Sequence, residues 1–449
     1  KGTTGNMIYD VKKQGAAGDG KTDDTAVIQK GIDTCFQNGG GSVILSDGIY
    51  VSGTLYLKSN VRLHITESAV LLASGEIEKY GTDTHYNRYR NEPDMDQCFL
   101  YAQDQENITL TGGGMILGNA EAFPNEGSIY RPMMMRFLRC RNIRLSHLRL
   151  YDAAAWTTAF LDSSWIWVDG VDIRNEKRYN GDGLDFDGCS HVFVSNCSIR
   201  GTDDNLCLQA GSREYPVEDV HITGCSFSSL CAAIRIGLKS IGDISDVAIS
   251  SCTMKNVWRE GIKVECSEGG SITDITVNNL TMKNVSRPIF LLLNNRFLPD
   301  GLGSSLELTE MPEIGRMERL IFSNIIATDT EEMGKVHRRF ENDIMGAPWF
   351  SGIRVDAEKE HKIKDLTFTN IRYTAYGGVK RDQIPQEYPQ VIDQKKFPGS
   401  ETSENYYPDW SRTVHMDIRN VEGLVLENVR FAALHEDERP GCLVEGCDD

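Results

Sequence analysis

The sequence predicts an all-β fold, a right-handed parallel β-helix built as one long solenoid. Three observations support this prediction. A strand pattern recurs at a nearly constant interval, each repeat is too short to hold a helix of its own, and the one clear helical pattern lies near the N-terminus. The ends of a solenoid must be covered, so a single terminal helix is expected.

Ten copies of one pattern define the repeat. Each copy has an apolar alternation, a polar turn residue or cysteine, and a second apolar alternation, and the copies begin at 107, 142, 165, 191, 219, 246, 274, 319, 365 and 423. From 165 to 274 the starts are 26, 28, 27 and 28 residues apart. Such units bury an apolar face only by stacking on their neighbours. A β-propeller needs longer blades and hairpin turns, for which Asn-Gly and Asp-Gly signals are few.

The segment 19-DGKTDDTAVIQKGIDTCF-36 predicts the capping helix. Thr22 and Asp23 are the predicted N-terminal caps, since short polar side chains satisfy the first free backbone amides. Apolar residues at helical spacing are expected to face the solenoid: Val27, Ile28, Ile32 and Phe36.

We interpret residues 7–449 as a single solenoid domain with Met7 as the natural start, and residues 1–6 as a vector-derived remnant. Long insertions are predicted near 286–318, 329–362 and 376–420, where the interval between repeats lengthens. Those segments are rich in aromatic and charged residues. Long excursions from a rigid scaffold usually shape a binding site.

Composition excludes several classes of function. The net charge of −18 opposes binding to nucleic acid or to anionic lipid. No apolar run approaches the length of a membrane-spanning helix. The hydrophobic content of 40% is sufficient for a large core.

Cysteine usage bears on the compartment. Seven of the twelve cysteines fall inside strand-like segments, where they serve as small buried hydrophobic residues, and such free thiols fit a reducing compartment. We therefore expect a cytoplasmic protein, with a secreted or periplasmic location after signal-peptide removal as the alternative. Cys442 and Cys447 are the candidate pair for a disulfide.

The stretch 180-NGDGLDFDGCSHVFVSNCSIRGTDDNLCLQAG-211 contains the candidate site. Five aspartates interrupt its alternating apolar pattern, although strands deplete aspartate and a buried charge needs a partner: Asp182, Asp185, Asp187, Asp203 and Asp204. Asp182 precedes Asp203 and Asp204 by 21 and 22 residues, slightly less than one coil. Adjacent coils stack about 4.8 Å apart, so we expect these carboxyl groups on one exposed face.

Two carboxyl groups flanking a glycosidic bond suit sugar hydrolysis. One, kept protonated, donates to the leaving oxygen, while the other activates water or attacks directly. Like charges held close together raise the pKa of one of them, which supplies the acid. Spacing alone equally allows turn residues, an Asp/Asn ladder or a calcium site.

Two motifs carry a family resemblance. The chain resembles glycoside hydrolase family 28, the polygalacturonase family of right-handed β-helices, from residue 9 to about 290. The family's Asn-Thr-Asp motif is matched by Asn180-Gly181-Asp182, with glycine in place of threonine, and its Gly-x-Asp-Asp motif by Gly201-Thr202-Asp203-Asp204. The resemblance implies hydrolysis with inversion. Asp203 would be the general acid, and Asp182 and Asp204 would position and deprotonate the water.

The sequence also departs from the family. Ala232 stands where polygalacturonases carry a histidine, and in the family's Arg-Ile-Lys motif Lys263 replaces arginine and Glu265 replaces lysine. A glutamate would repel a galacturonate carboxylate, and would instead accept hydrogen bonds from sugar hydroxyls. Arg235 is either a compensating cation for the substrate or a solvent-facing strand arginine.

These departures predict a substrate other than plain polygalacturonan. A neutral-sugar linkage, or a side chain or rhamnose-containing portion of pectin, fits better. Insertions after residue 286 would close one end of a groove and favour exo action on short oligosaccharides. No metal or cofactor is predicted, so activity should survive a chelator, and the sequence does not indicate an oligomeric state.

Three further residues complete the predicted site. Asn180 and Asp185 are expected to contribute to substrate binding, whereas Asp187 is expected to be a surface residue. Trp156 is predicted to stack on a sugar ring, with burial inside a coil as the alternative. Two other functions remain open: a polysaccharide lyase, which needs an arginine or lysine base and usually calcium, and a non-catalytic carbohydrate-binding solenoid.

Overall fold

The computed structural model describes residues 7–84, 87–90, 97–125, 131–295, 299, 301, 303–334, 351–384 and 411–448. Within these residues the chain forms two compact units. Unit 1 contains the described residues up to Asn87 and from Gln97 to Asp203, and unit 2 contains Arg88–Arg90 and the described residues from Asp204 onward.

Unit 1 consists of short strands and one α-helix, α1 (Thr25–Gln37). Its strands are β1 (Met7–Asp10), β2 (Asp19–Asp23), β3 (Gly41–Leu45), β4 (Gly48–Ser52), β5 (Leu55–Tyr56), β6 (Val61–Ile65), β7 (Ala69–Ala73), β8 (Cys98–Gln103), β9 (Glu106–Thr111), β10 (Met115–Leu117), β11 (Met133–Leu138), β12 (Arg141–Ser146), β13 (Arg149–Tyr151), β14 (Thr158–Leu161), β15 (Ser164–Asp169), β16 (Asp172–Asn175), β17 (Leu184–Asp187), β18 (Ser190–Ser195) and β19 (Ser198–Gly201). Short 3-10 turns lie at Ile77–Lys79 and Ala120–Ala122.

Every ladder between these strands is parallel, and the strands form three sheets. The first sheet runs β5–β8–β11–β14–β17. The second runs β1–β3–β6–β9–β12–β15–β18. The third runs β2–β4–β7–β10–β13–β16–β19. One strand of each sheet makes one coil, so consecutive coils stack strand on strand.

Unit 2 continues the same pattern with longer strands. They are β20 (Leu206–Ala210), β21 (Glu218–Thr223), β22 (Ser226–Ser229), β23 (Ile234–Ser240), β24 (Ile244–Cys266), β25 (Ser271–Leu293), β26 (Arg316–Thr328), β27 (Ile353–Ala357), β28 (Ile363–Gly377), β29 (Met416–Arg419), β30 (Val421–His435) and β31 (Cys442–Glu445). Its ladders are again parallel. β20, β23 and the end of β24 pair in sequence and carry Cys207, Arg235, Lys263 and Glu265. Short 3-10 turns lie at Glu331–Gly334 and Arg381–Gln383.

Alternation in the sequence explains the strands. In β18, Val192 and Val194 are buried while their neighbours are partly exposed. At the turns the chain takes positive φ, which asparagine tolerates better than most residues. Asn107 and Asn142 have φ of 58° and 56°, and the Asn142 amide donates to the Asn107 side-chain oxygen at 2.7 Å. The residue that opens the first apolar run is therefore a turn residue, and the polar residue between the two runs takes the same conformation, as Asn196 does with φ of 55°.

The predicted helix is present, but its details differ from the prediction. The N-cap is Asp24 rather than Thr22 or Asp23. Asp24 is drawn inward because its carboxylate accepts from the backbone amides of Ala17 and Gly18, at 2.7 and 2.9 Å.

The buried face of α1 is also rotated from the predicted one. Ile28 and Ile32 are buried as expected, together with Cys35. Phe36 is wrong as a core residue, since it is 44% exposed, and Val27 is only partly buried. The helix packs on β1, β3, β5 and β6.

The predicted fold class, an all-β right-handed parallel β-helix with an N-terminal helix, is confirmed. Strands are present at all ten predicted repeats. The interpretation of residues 7–449 as one domain stays a prediction. No helix within the described ranges has the length and apolar character to span a membrane.

The bounds of the predicted insertions stay a prediction, and strands extend into each of them. Strand β25 continues through the start of the first, and the second and third contain β27 and β29. Residues 335–350 and 385–410 of these insertions lie outside the described residues. Cys442 and Cys447 are free thiols, as are the ten buried cysteines.

Candidate active site

The first aspartate motif lies in unit 1 on the turn that leads into β17. The backbone oxygen of Asp182 accepts from both the amide and the hydroxyl of Thr157, at 3.0 and 2.8 Å. Thr157 precedes β14 on the neighbouring coil, so the position of Asp182 is fixed by the stack beneath it. The Asp182 side chain is 3% exposed.

Arg131 holds the same turn from another direction. Its guanidinium donates to Asn180 Oδ1 at 2.7 Å and to the backbone oxygens of Tyr179 and Ala154, at 2.5 and 3.2 Å. The arginine is 2% exposed. Asn180, which was predicted to bind substrate, therefore also stabilises the turn before Asp182 through its hydrogen bond with Arg131. The sequence does not indicate a role for Arg131, because no motif surrounds it.

Gly181 explains one departure from the family motif. A Cβ atom at this position would lie 2.3 Å from the backbone oxygen of Asn175 and 2.4 Å from Thr202 Oγ1. The Thr202 hydroxyl fills that space from the next coil; it accepts from the Gly181 amide at 3.0 Å and donates to the Arg178 backbone oxygen at 2.6 Å. A side chain at 181 is therefore incompatible with the observed positions of the Thr202 hydroxyl and the Asn175 backbone oxygen.

We predict that Gly181→Ala displaces the Asp182 turn. The added methyl group meets fixed backbone as well as Thr202, so relief requires a backbone shift, and we expect a destabilisation of about 1–3 kcal/mol. Thermal unfolding and kcat measured together check this prediction. Gly441→Ala, at an exposed position where the added carbon would meet only His415 Nδ1 at 3.7 Å, is the control. Equal activities in Gly181→Ala and the unaltered protein would contradict it.

The second aspartate motif follows β19. In unit 1, the Thr202 amide donates to the Asn175 oxygen at 3.0 Å and the Asp203 amide approaches the Gly181 oxygen at 3.5 Å. The two predicted motifs are therefore neighbours on successive coils of this unit, as the spacing predicted. Asp203 is partly exposed, whereas Asp182 is buried.

Asp204, the next residue in the chain, is the first of the long segment of unit 2, and its side chain is 6% exposed. Its Oδ1 accepts from the backbone amide of Ala232 at 3.0 Å. Its Oδ2 lies 2.8 Å from Arg235 Nε and 3.7 Å from the Cys207 thiol.

These contacts determine the charge of Asp204. Burial by itself would raise the pKa of this carboxyl group. The charges of Arg235 and Lys263, together with hydrogen bonds from Ala232 and Cys231, outweigh burial and hold the pKa below its ordinary value. Asp204 is consequently an ionised, desolvated carboxylate.

Arg235 is not the solvent-facing strand arginine of one interpretation. Its side chain is 11% exposed, and its guanidinium is occupied by Asp204 and by Cys207 Sγ, the latter 3.2 Å from Nη2. That alternative is wrong because Ala232 has a minimal side chain and leaves the carboxylate open to an arginine from the same coil. Its predicted role toward the substrate stays a prediction.

Lys263 and Glu265 form a pair on the following strand segment. Lys263 Nζ lies 3.8 Å from Glu265 Oε2, and Ser267 Oγ donates to Glu265 Oε1 at 3.3 Å. The two side chains are 3% and 0% exposed. The lysine thus offsets the negative charge of Glu265, which was predicted to repel a uronate. Their predicted substrate contacts stay predictions.

Asp185 and Asp187 alternate with the inward-facing Leu184 and Phe186 on β17 but are both buried, at 1% and 3% exposure. The prediction of Asp187 as a surface residue is wrong. Leu161, its neighbour in the first sheet, is 8% exposed, so this outer row of the sheet is covered.

Trp156 is partly buried in unit 1. It packs against a cluster formed by Cys98, Tyr101, Met133, Ala155 and Ala159. Its backbone oxygen accepts from Met134, and the following residue, Thr157, bonds to Asp182. This position is compatible with sugar stacking, which stays a prediction.

The donor set around Asp204 differs from that of a calcium site. Within unit 2 the side chains beside the Asp204 carboxylate include the thiols of Cys207 and Cys231, whereas calcium takes oxygen ligands. The predicted independence from metal ions stays a prediction.

Comparison with known proteins agrees with the geometry. The model of the glycosyl hydrolases family 28 matches residues 55–301. A probable polygalacturonase of Vitis vinifera is 26% identical over 283 residues, covering 57% of this chain and 56% of that protein. A probable endo-xylogalacturonan hydrolase A of Aspergillus niger is 24% identical over 268 residues, covering 57% of this chain and 62% of that protein. The matched part therefore spans less than two thirds of each relative.

A solved structure shows the same fold. The exopolygalacturonase of Thermotoga maritima superposes with a TM-score of 0.67 at 18% identity, over 82% of this chain and 87% of that one. At that identity the likeness establishes the architecture and leaves the chemistry to the site residues.

Proposed function

The chain belongs to family 28 of the glycosyl hydrolases, and on that premise we propose that it hydrolyses a glycosidic bond in a pectin-related oligosaccharide with inversion. The observation that carries the proposal is Asp204, a buried carboxylate kept ionised by Arg235 and Lys263. An ionised, desolvated carboxylate is a competent general base toward water.

The three aspartates divide the work in this proposal. Asp203, which is partly exposed, donates a proton to the leaving oxygen. Asp204 and Asp182 hold and deprotonate the water that attacks from the opposite face of the sugar, so the configuration at the anomeric carbon inverts. Support comes from the two motifs, which match the family on neighbouring coils.

The proposed substrate is a substituted or non-uronate part of pectin rather than plain polygalacturonan. Lys263 is already paired with Glu265, which leaves less positive charge for a substrate carboxylate. Similarity to a probable xylogalacturonan hydrolase points the same way. Exo action on short oligosaccharides, and a reducing, cytoplasmic location that suits twelve free cysteines, belong to the same proposal.

The test is a panel of homogalacturonan, xylogalacturonan, rhamnogalacturonan and neutral pectic oligosaccharides, each with and without chelator. We expect the protein to release single sugars from a substituted or non-uronate member of the panel. Proton NMR should show that the anomer formed first has the inverted configuration. Fastest hydrolysis of plain homogalacturonan would overturn the substrate proposal. An unsaturated product absorbing in the near ultraviolet would overturn hydrolysis in favour of a lyase, and a product of retained configuration would overturn the assigned roles.

A further inference from the structure

The position of the family's missing histidine has a consequence within unit 2. Ala232 has no polar side chain, and its backbone amide donates to Asp204 Oδ1 at 3.0 Å. Three residues further along the same coil, Arg235 reaches the other oxygen of that carboxylate, at 2.8 Å. Ala232 cannot provide the positive charge that a histidine at this position could carry. Arg235, on the same coil, provides a positive charge beside Asp204 instead.

We propose that Arg235 is a positioning residue that takes over the place of the histidine and keeps Asp204 ionised and in one orientation. The inference rests on the proposed function, because it assigns Arg235 a role in preparing the general base. It differs from the sequence-based prediction, in which Arg235 binds the substrate.

The geometry restrains both carboxylate oxygens. Oδ1 accepts from the Ala232 amide, and Oδ2 faces the Arg235 guanidinium and the Cys207 thiol. Arg235 Nη2 lies 3.2 Å from Cys207 Sγ, so the arginine is itself held by the strand that follows Asp204. Rotation of the carboxylate would break an ion pair in a region of low dielectric, where such a pair is strong.

Several other groups face Asp204 and set its pKa. Within unit 2 these are Lys263, Cys207 and Cys231, and Asp203 precedes it in the chain. Burial would raise the pKa of Asp204, and the Arg235 charge is the largest influence in the opposite direction. Removing that charge should raise the pKa, so the carboxylate would take up a proton at a higher pH.

Arginine in this role has an effect that histidine cannot provide. A histidine near its ordinary pKa of about 6.5 changes charge in the neutral range, whereas arginine stays charged throughout. A base paired with arginine therefore keeps its positively charged partner throughout the neutral range. We expect the activity to hold a broad plateau toward acidic pH.

The decisive measurement is the titration of Asp204 itself. Protein labelled with 13C at aspartate carboxyl groups is followed by NMR from pH 2 to 8, and the Asp204 signal is identified by its absence in Asp204→Asn. We expect Arg235→Gln to raise the titration midpoint by about 1–3 pH units. Arg354→Gln is the matched control, a buried arginine paired with Asp356 at 3.0 Å, and should leave the midpoint unchanged.

An unchanged midpoint in Arg235→Gln overturns the inference, whether or not any sugar is hydrolysed. If this variant fails to fold, the double variant with Asp204→Asn decides. Recovery of folding would attribute the failure to an uncompensated buried charge, and continued failure would overturn the inference.

Activity supplies a separate readout. In an active protein, the acidic limb of the pH profile of kcat/KM should shift to higher pH in Arg235→Gln by the same amount as the NMR titration midpoint. The shift should be small in Arg235→Lys, because lysine keeps a positive charge. Loss of rate with an unshifted limb would mean a structural role. Absence of hydrolysis by the unaltered protein contradicts the proposed function alone, because the NMR titration does not require activity.

Discussion

Asp203→Asn is expected to lower kcat by about 10²–10⁴-fold on the oligosaccharide that the unaltered protein hydrolyses best. An amide has nearly the shape of the acid but cannot give a proton to the leaving oxygen. Asp203 is partly exposed, so the substitution should leave the fold and KM almost unchanged. Steady-state kinetics and thermal unfolding of both proteins check the prediction.

Two comparisons sharpen that experiment. Asp246→Asn is the matched control, since Asp246 is an exposed turn residue at φ of 54° where asparagine fits equally well. A substrate with an activated leaving group, such as a nitrophenyl glycoside, needs less protonation and should recover part of the lost rate in Asp203→Asn. Equal loss on both substrates would contradict the assignment of Asp203 as the acid.

The architecture was predictable because the same pattern of strands and turns recurs many times in the sequence. Each coil repeats the same alternation and turn, so a copy that is hard to recognise is supported by its neighbours. The turn residue also has a local cause, positive φ, which Asn107 and Asn142 satisfy within their own coils. Such features depend on residues close in sequence and are therefore visible to pattern analysis.

The errors have a different origin. Asp24 replaces Asp23 as the helix cap because its carboxylate accepts hydrogen bonds from the backbone amides of Ala17 and Gly18, in the segment before β2. Asp187 has the alternation of a surface residue but lies in a row of the first sheet that is covered. Both outcomes depend on contacts that form only in the folded chain, and the alternation of apolar and polar residues does not contain those contacts.

The site shows how two departures from a family motif are compensated across the stack. Glycine at 181 makes room for Thr202 of the next coil, and alanine at 232 leaves Asp204 open to Arg235. In a solenoid, each coil packs against its two neighbouring coils, so the space that a smaller side chain leaves can be filled by a residue from another position. When the motif is compared one position at a time, the threonine and the histidine of the family are simply missing. In the folded coils, Thr202 and Arg235 occupy the space that those side chains leave.

Phe160→Ala is expected to have the largest effect on stability, about 3–5 kcal/mol in the free energy of unfolding. Phe160 is fully buried between Phe137 and Phe186, with ring centroids 5.0 and 4.9 Å apart and ring planes within 7° and 10° of parallel. Truncation removes two stacking contacts at once and leaves a cavity that a stack of fixed coils cannot close.

The same substitution links the core to the chemistry. Phe186 lies on β17, two residues after Leu184 and four after Asp182, so a loosened stack should also lower kcat. Denaturant unfolding gives the stability, and Phe36→Ala is the control, because Phe36 is 44% exposed and its loss should cost well under 1 kcal/mol. Similar losses of stability in both variants would mean that the ring stack does not hold the coils of unit 1 together.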